Sequence, residues 1–467
     1  MNYQEKFKGL QLDSENNTAY PRNDIGTARL FHDLHKELIV YVEDAKLWLS
    51  YDGRRWIPDK GAVQRYAEAF VESYAEYARQ MQGDSLVPSG ETYLTFEAYV
   101  AGFQSLSRRK SLVEGASNRS CKRLGEFDSN PHLFNCQNGT FDLEHLEFRK
   151  HSPSDYITKV SRVEYSADVV CDRWERFIDE VMESKSEVAA YLQKALGYAL
   201  SGETTQDCFF LMYGPSTRNG KSTLTETITH LMDDYATSTQ PQTLAKRNTN
   251  GSAPSPDLAR LRGARFVNVP EPEKGMELNS ALVKQLTGGD RIMARYLFGN
   301  PFEYSPEFKI FIGSNHIPRI ADRTVVTSGR LKILPFNRHF KREEQDKTLK
   351  QTFKTATAMS GIFNWLVDGY RVFKQEGIGD PADICKELDN FEREATADID
   401  VFLDENLVEA DGERLKTSDI HQRHSEWAKV NGYKPLSPQS LMRELRSRYE
   451  VKRFTAEGNA IPGYTLK

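Results

Sequence analysis

The sequence predicts an α/β fold, on three observations. Short apolar runs typical of buried strands alternate with segments of helical periodicity along the 467 residues. In the N-terminal third, the pairs Asp52-Gly53 and Asn138-Gly139 each stand between strand-like runs and predict β-hairpins. An apolar run from Cys208 to Tyr213 leads into a glycine-bounded loop, after which Lys221 opens a helix. The other elements are best understood as arranged around this strand, loop and helix.

Length and composition fit a globular protein of several domains. A chain of 467 residues suggests roughly two to four cores. Hydrophobic residues make up 39% and charged residues 28%, and no apolar run approaches the roughly 20 residues that a membrane helix needs. With five scattered cysteines and a polar N-terminus, we expect no disulfide framework, no signal peptide and a cytoplasmic location. The net charge of -5 neither indicates nor excludes a nucleic-acid partner, because only local clusters of Lys and Arg matter.

The loop after the central strand has the features of a phosphate-binding loop. Backbone N–H groups at a helix N-terminus bind phosphates, while Lys221 would reach the β and γ oxygens and Ser222 would hold Mg²⁺. The usual spacing puts four residues between the first glycine and Gly-Lys, whereas Gly214 and Gly220 enclose five. Either Pro215 takes the place of the first glycine or the loop is one residue longer. The predicted ATP-binding residues are Gly214, Pro215, Ser216, Thr217, Arg218, Asn219, Gly220, Lys221, Ser222 and Thr223.

Two later strands end at side chains that suit nucleotide hydrolysis. The strand at 265–269 runs into Glu271, where a carboxylate would hold Mg²⁺ and polarise the attacking water; Glu273 is the second candidate. The strand at 308–314 ends at Asn315, whose amide would bond the γ-phosphate or the water. An acidic surface cluster and a simple turn are the structural alternatives.

Arg330 directly precedes a fourth apolar strand, at 331–336. An arginine in this position could project from one subunit into the nucleotide of its neighbour and neutralise charge on the transferred phosphoryl group. Arginines before strands are also common without any such role.

The N-terminal region combines the two hairpins with helices predicted at 60–83 and 96–117. We expect Trp48 and Trp56 in the core, because aromatic pairs stabilise hairpins, with direct contact to bases as the alternative. The basic cluster from Arg108 to Arg123 either follows a phosphate backbone or forms a solvated helix face. No paired acidic motif with the His and basic residues of a primase site is present, so nucleotide polymerisation is not predicted.

The C-terminal residues predict three helices followed by two strands. Ser437 and Pro438 form an N-cap and first-turn pair for the third helix, and strands at 450–454 and 461–466 flank a turn. This order is that of a winged helix. A local excess of basic residues favours contact with the DNA backbone, whereas packing or protein contact is the alternative. The candidate DNA-binding residues here are Arg443, Arg446, Lys452 and Arg453.

Together these motifs resemble the superfamily 3 helicases, in particular the C-terminal helicase part of the phage and plasmid primase-helicases, related to the poxvirus primase-helicase. The family's phosphate loop typically ends Asn-Gly-Lys-Ser-Thr, as 219–223 do here. Its run of Lys, Thr-Gly-Gly-Asp and Ala-Arg is matched at 284–295, and its Gly-Ile-x-x-Trp-x-x-x-Gly segment at 361–369. The resemblance divides the chain into a helicase-associated domain at 1–165, an AAA+ ATPase domain at 166–390 and a winged helix at 391–467.

The resemblance implies a hexameric ring with ATP between subunits and a hairpin near 295–303 that grips single-stranded DNA in the pore. Arg291 and Arg295 would then contact phosphates and Phe298 would stack on a base, although Arg295 could instead pair with a carboxylate. The family commonly has two adjacent arginines where this chain has Gly329-Arg330. If Arg330 is not the finger, the next candidates are Arg323 and Arg319.

The function expected on this basis is an ATP-driven, Mg²⁺-dependent DNA helicase in the replication of a phage, plasmid or mobile element. Its partners would be DNA and further copies of itself, with a separate primase or polymerase as a further possible partner. Two alternatives stay open. One is an origin-binding initiator whose ATPase melts DNA, and the other is a non-translocating ATPase used in regulation or defence.

Overall fold

The computed structural model describes residues 2–467 apart from 11, 13–16, 82–85, 90–91, 120, 247–255, 297–299, 317, 319, 321, 323, 431–434 and 455–457. The chain divides into two compact units, 1–165 and 166–467. Both mix helices and strands, so the predicted α/β class is confirmed. Within the described ranges, no helix is both long and apolar enough to cross a membrane.

The first unit contains small sheets and a helical core. Its helices are α1 Tyr3–Gly9, α2 Asp24–His35, α3 Ala62–Gln80, α4 Phe96–Ala101 and α5 Leu106–Ser117. Its strands are β1 Ile39–Val42, β2 Leu47–Tyr51, β3 Trp56–Pro58, β4 Leu86–Ser89, β5 Thr92–Thr95, β6 Cys121–Lys122, β7 Leu133–Asn135, β8 Thr140–Asp142 and β9 Glu147–Arg149. Strands β2 and β3, and strands β7 and β8, pair as the two predicted hairpins.

In the first unit, both tryptophans and Arg108 pack against other residues of the unit. Trp56 is buried and its indole N–H donates to Pro153 O at 2.9 Å, while Trp48 packs partly buried against the helical core. Arg108 is held by Asp24 at 2.5 Å, and its guanidinium lies over the Phe103 ring at 4.1 Å from the centroid. Trp56 is therefore a core residue, and Arg108 has a structural partner.

The second unit is built on a parallel sheet. Its helices are α6 Asp172–Val181, α7 Ser186–Tyr198, α8 Lys221–Met232, α9 Pro241–Leu244, α10 Pro256–Ala259, α11 Ser280–Thr287, α12 Thr324–Thr327, α13 Leu349–Thr352, α14 Ala356–Glu376, α15 Ala382–Asn406, α16 Thr417–Val430 and α17 Pro438–Arg448. Its strands are β10 Phe209–Tyr213, β11 Ala236–Ser238, β12 Phe266–Val269, β13 Ile292–Ala294, β14 Phe302–Tyr304, β15 Lys309–Ser314, β16 Leu331–Pro335, β17 Leu407–Lys416, β18 Lys452–Phe454 and β19 Gly458–Leu466.

The five strands of the central sheet lie in the order β11-β12-β15-β10-β16, and every neighbouring pair is parallel. Four of them are the strands that the apolar runs predict. The fifth, β11, lies at the start of the segment 236–256, whose content of Thr, Gln, Asn, Ser and Pro predicts a loop, and this prediction is wrong for 236–238. The short strand is stabilised by its pairing with buried β12, because its own sequence has little apolar content.

Three helices fix the sheet and its first loop. α7 and α14 pack so closely that a Cβ at Gly369 would lie 2.2 Å from Gln193 O, and one at Gly197 would lie 2.3 Å from Tyr370 N. α6 packs Phe177 and Val181 toward Gly220, where a Cβ would meet Val181 at 2.6 Å. The glycines therefore set how near these helices come.

The C-terminal part of this unit contains α15, α16, α17 and an antiparallel sheet in the order β17-β19-β18. Residue 391 lies inside α15, which runs unbroken from Ala382 to Asn406. The third helix begins at Pro438 with Ser437 as its N-cap, as predicted. β17, which pairs along β19, was not predicted, because most of its residues are exposed and three of the ten are acidic.

We predict that Gly369→Ala lowers the free energy of unfolding of the second unit by about 1–3 kcal/mol, the usual cost of overpacking. The two nearest atoms that the added methyl would meet belong to the backbone of α7, at Gln193, so the helices must separate. Chemical denaturation monitored by circular dichroism measures the change. Gly313→Ala is the matched control, because its Cβ meets only ordinary contacts at 3.9 Å or more. Equal stabilities for the two variants would contradict the close-packing account.

Candidate nucleotide-binding site

The candidate site lies where three adjacent parallel strands end. β12 leads to Glu271, β15 leads to Asn315, and β10 leads into the loop before α8. Because β15 lies between β12 and β10 and all three are parallel, their carboxyl ends meet at one edge of the sheet. Residues far apart in the sequence are thus brought together.

The loop itself is rigidly supported. Gly220 has a φ of +89° and Arg218 has a φ of +57°, so the chain turns twice through left-handed conformations before α8 begins at Lys221. Asn219 Nδ2 donates to Ser216 O at 2.7 Å and closes the turn. A Cβ at Gly214 would lie 2.2 Å from Phe336 O, so this glycine is needed for packing on the end of β16.

The Lys221 ammonium group is held at the edge of the sheet. It lies 2.6 Å from Asn315 Oδ1 and 3.3 Å from Ser314 O. Burial lowers the pKa of Lys221 to about 8, and the nearby Glu271 carboxylate only partly opposes this effect. A partly buried cation with a lowered pKa gains from the arrival of negative charge, which is what a phosphate group brings.

Asn315 joins Lys221 to Glu271. While its Oδ1 accepts from Lys221, its Nδ2 donates to Glu271 Oε2 at 2.9 Å and its backbone N–H donates to Glu271 Oε1 at 3.2 Å. Both carboxylate oxygens are therefore oriented by one residue. Glu273, the second candidate for the catalytic carboxylate, is exposed, and no side-chain hydrogen bond ties it to Asn315 or Lys221.

The residues present fit a triphosphate with Mg²⁺. The loop offers a glycine turn at a helix N-terminus, and the Ser216 hydroxyl oxygen is buried without a hydrogen-bond partner in the described structure. Ser222 is exposed in the first turn of α8 and lines the same cleft as Lys221. A hydroxyl and a carboxylate are the hard oxygen ligands that Mg²⁺ uses when phosphates and water complete its shell.

Arg330 lies at the amino ends of the strands, opposite the carboxyl ends where the loop, Asn315 and Glu271 meet. Its guanidinium donates to Thr287 Oγ1 at 2.9 Å and contacts Asp207 Oδ2 at 2.9 Å, and its carbonyl accepts from Phe209 N. β10, at about 3.3 Å per residue, separates this end of the sheet from the loop by roughly 15 Å. The other finger candidates, Arg319 and Arg323, lie outside the described residues.

The hairpin predicted near 295–303 forms, and its antiparallel strands are β13 at 292–294 and β14 at 302–304. Ile292 and Ala294 face the core, so Arg291 and Met293 are exposed on the other face. Arg291 lies 3.7 Å from Glu303, whereas Arg295 is half-buried and makes no ion pair with another described residue. Phe298 falls outside the described residues.

The basic residues of the C-terminal part are also exposed. Arg443 and Arg446 lie on α17 and Arg453 on β18, and none of the three makes an ion pair within the part of the chain that the structure describes. Lys452 pairs with Glu450 at 3.1 Å, so its charge is partly compensated.

The sequence does not predict the residues that line the cleft outside the loop. Besides the loop, the cleft is lined by Arg173 and Phe177 of α6 and by Phe340, Gln345 and Lys350 beyond β16. Only the tertiary fold brings these segments together. The polar segment after 336 carries no spacing that would point to a ligand.

Two family models and several viral proteins are similar to parts of this chain. A family described as "D5 N terminal like" matches residues 28–183, and one described as "Family of unknown function (DUF5906)" matches residues 212–330. The "Putative helicase L207/L206" of Acanthamoeba polyphaga mimivirus is 26% identical over 462 residues, covering 90% of this chain and 47% of that protein. The "Putative helicase 121R" of Invertebrate iridescent virus 3 is 25% identical over 394 residues, covering 73% of this chain and 41% of that protein.

The chain resembles the phage and viral primase-helicase family. It spans about half or less of the length of the curated relatives that it matches. A solved structure titled "The A form apo structure of NrS-1 C terminal region-CTR" is similar with a TM-score of 0.48 and 11% identity, over 93% of this chain and 99% of that one. The match to residues 212–330 takes in the loop, Glu271, Asn315 and Arg330 that characterise the primase-helicase resemblance.

We predict that ATP binding at pH 8 takes up about half a proton, because a triphosphate raises the pKa of Lys221 from about 8. Affinity should therefore fall as the pH rises above 8, since the neutral amine must first be protonated. Calorimetric titration in two buffers of different protonation enthalpy measures the uptake. Lys221→Arg is the control, because guanidinium stays protonated. Identical uptake by the two proteins would show that Lys221 is not the group that titrates.

Proposed function

We propose that this chain is an ATP-dependent DNA helicase of superfamily 3, with an AAA+ core that works as a hexameric ring in the replication of a phage, virus, plasmid or mobile element. The observation that carries the proposal is the hydrogen-bonded series Lys221, Asn315 and Glu271 beside a glycine-turned loop at a helix N-terminus. The helicase names of the viral relatives support DNA unwinding as the use of this chemistry.

In this proposal each side chain has a defined task. Lys221 leaves Asn315 Oδ1 and binds the β and γ oxygens of ATP. Asn315 then keeps Glu271 oriented through the two bonds that its N–H groups already make. Glu271 accepts a hydrogen bond from the attacking water and aligns it with the γ-phosphorus. Mg²⁺, held by Ser222 and Glu271, would neutralise charge on the phosphate oxygens.

The DNA contacts follow from the exposed basic groups. The outer face of the hairpin presents Arg291 and Met293, a cation beside an apolar side chain, and Arg295 has no competing carboxylate among the described residues. These features suit single-stranded DNA, where backbone charge and stacked bases lie side by side. With Phe298, they form the pore contact of the proposal.

A second candidate function is an initiator that recognises a particular origin. The exposed arginines Arg443, Arg446 and Arg453 favour it, since a helix followed by a β-hairpin with uncompensated arginines suits duplex DNA. In this reading the C-terminal part is a winged helix. Protection of one sequence in the replicon's own DNA would support the initiator, and uniform binding to any duplex would support the helicase.

We predict that Lys221→Ala abolishes ATP hydrolysis and strand displacement together, because no other cation at the loop lies within hydrogen-bond distance of Asn315. Phosphate release and displacement of a labelled strand from a forked duplex should be measured in one buffer, along with the mass of the oligomer. Lys246→Ala, an exposed lysine paired with Glu277, is the control that keeps both activities. Hydrolysis by Lys221→Ala would refute the loop assignment, and hydrolysis without displacement in the wild type would favour the initiator or a non-translocating ATPase.

We predict that Arg330→Ala lowers the rate of hydrolysis by about 10³-fold or more, the usual effect of losing an arginine finger, while ATP still binds. Thr287→Val is the control. It removes one of the hydrogen bonds that Arg330 makes within the chain but keeps the guanidinium group. Steady-state hydrolysis and nucleotide affinity are measured for both. If Thr287→Val and Arg330→Ala lose the same activity and the same thermal stability, Arg330 is a structural residue and not a finger.

A further inference from the structure

The cleft beside the loop extends past the residues that phosphate chemistry uses. Its volume is about 450 Å³, within the roughly 300–1,000 Å³ typical of small-molecule sites. One end is formed by residues 218–223 and the other by α6 and the segment 340–350. The triphosphate accounts for the first end only, so the second end is suited to a different part of the same ligand.

Phe340 is the half-buried aromatic residue at the second end. Its backbone N–H donates to Arg218 O at 2.9 Å, which ties it directly to the phosphate loop. Gln345 Nε2 donates to its carbonyl at 2.9 Å and fixes the other side of the residue. The backbone of Phe340 is therefore held at a set position relative to the phosphate loop, even though more than a hundred residues separate it from Lys221 in the sequence.

One face of the Phe340 ring is already covered. The Arg338 guanidinium lies 5.3 Å from the ring centroid, and Glu344 holds Arg338 at 2.7 Å. Arg338 is not among the residues that line the cleft, whereas Phe340 is. The guanidinium covers only one face of the ring, so a planar group in the cleft would meet the surface of the ring that stays open.

The rest of this end combines charged side chains, among them Glu180, Glu344 and Asp346, with two buried apolar ones. Phe177 and Leu349 line it and are only 3% and 7% exposed. An aromatic ring in the same cleft as two buried apolar side chains and the cations of the loop matches a ligand with a flat heteroaromatic base at one end and a polyphosphate at the other. Nucleoside triphosphates have this chemistry.

We propose that Phe340 is the platform on which the nucleobase of the bound nucleoside triphosphate stacks, with Phe177 and Leu349 as the apolar side chains of that subsite. This inference rests on the proposed function, because it requires a triphosphate on the loop. Recognition by stacking is tolerant of base identity, so Phe340 contributes affinity for nucleosides over bare polyphosphate.

The test compares ATP with inorganic tripolyphosphate, which has no base. Phe340→Ala should weaken ATP binding about tenfold, the scale of one base-aromatic stack, and leave tripolyphosphate binding unchanged. Phe340→Trp should keep ATP affinity because it keeps the stack. Phe340→Leu should lose it while filling the same apolar space, so a folding defect in the alanine variant does not decide the result. Phe148→Ala, a half-buried phenylalanine of the first unit, is the control that should change neither affinity.

The outcomes separate the two proposals. Equal weakening of ATP and tripolyphosphate by Phe340→Leu, or unchanged ATP affinity in Phe340→Ala, would overturn the base subsite and leave the phosphate loop intact. If the wild-type protein bound neither ligand, the proposed function would fail and the subsite with it. We expect Phe340→Ala to lose affinity for ATP but not for tripolyphosphate, and Phe340→Trp to keep its affinity for both.

Discussion

The parallel alignment of β10, β15 and β12 is the constraint on which the candidate site depends. Only because these strands run in one direction do the loop, Asn315 and Glu271 reach the same edge of the sheet. The hydrogen bonds at this edge then select the geometry, since Asn315 contacts both the ammonium group and the carboxylate. A shift of β15 by one residue would turn Asn315 to the other face and break both contacts.

The loop depends in turn on the helix that precedes the sheet. Val181 and Phe177 of α6 pack against Gly220. The left-handed turn is therefore supported by this packing as well as by the conformational freedom of glycine. Trp174, buried on the same helix, stacks edge-on against Phe353 and Trp365 and anchors α6 to the core. The site is therefore built on packed helices, and its hydrogen bonds add orientation to a loop that is already positioned.

Local sequence patterns predicted the strands that end at the site and the helix that starts at Lys221, because burial and turn chemistry act within a few residues. They also predicted the pairing of β13 with β14 and the N-cap at Ser437. The patterns missed β11 and β17, which depend on pairing with β12 and β19 rather than on their own polar sequences. They missed Phe340 for a similar reason. Its place in the cleft comes from a backbone hydrogen bond to Arg218, and nothing in the intervening residues signals it.

The placement of Arg330 connects two motifs that look independent in the sequence. Thr287, in the Thr-Gly-Gly-Asp segment, accepts a hydrogen bond from the Arg330 guanidinium and itself donates to Val283 O at 2.8 Å. That segment thus orients the arginine at the amino edge of the sheet, while the phosphate loop lies at the carboxyl edge. Within one chain the length of the strands keeps the two apart. In the proposed ring of identical subunits, Arg330 would therefore act on the nucleotide of a neighbouring chain and not on that of its own.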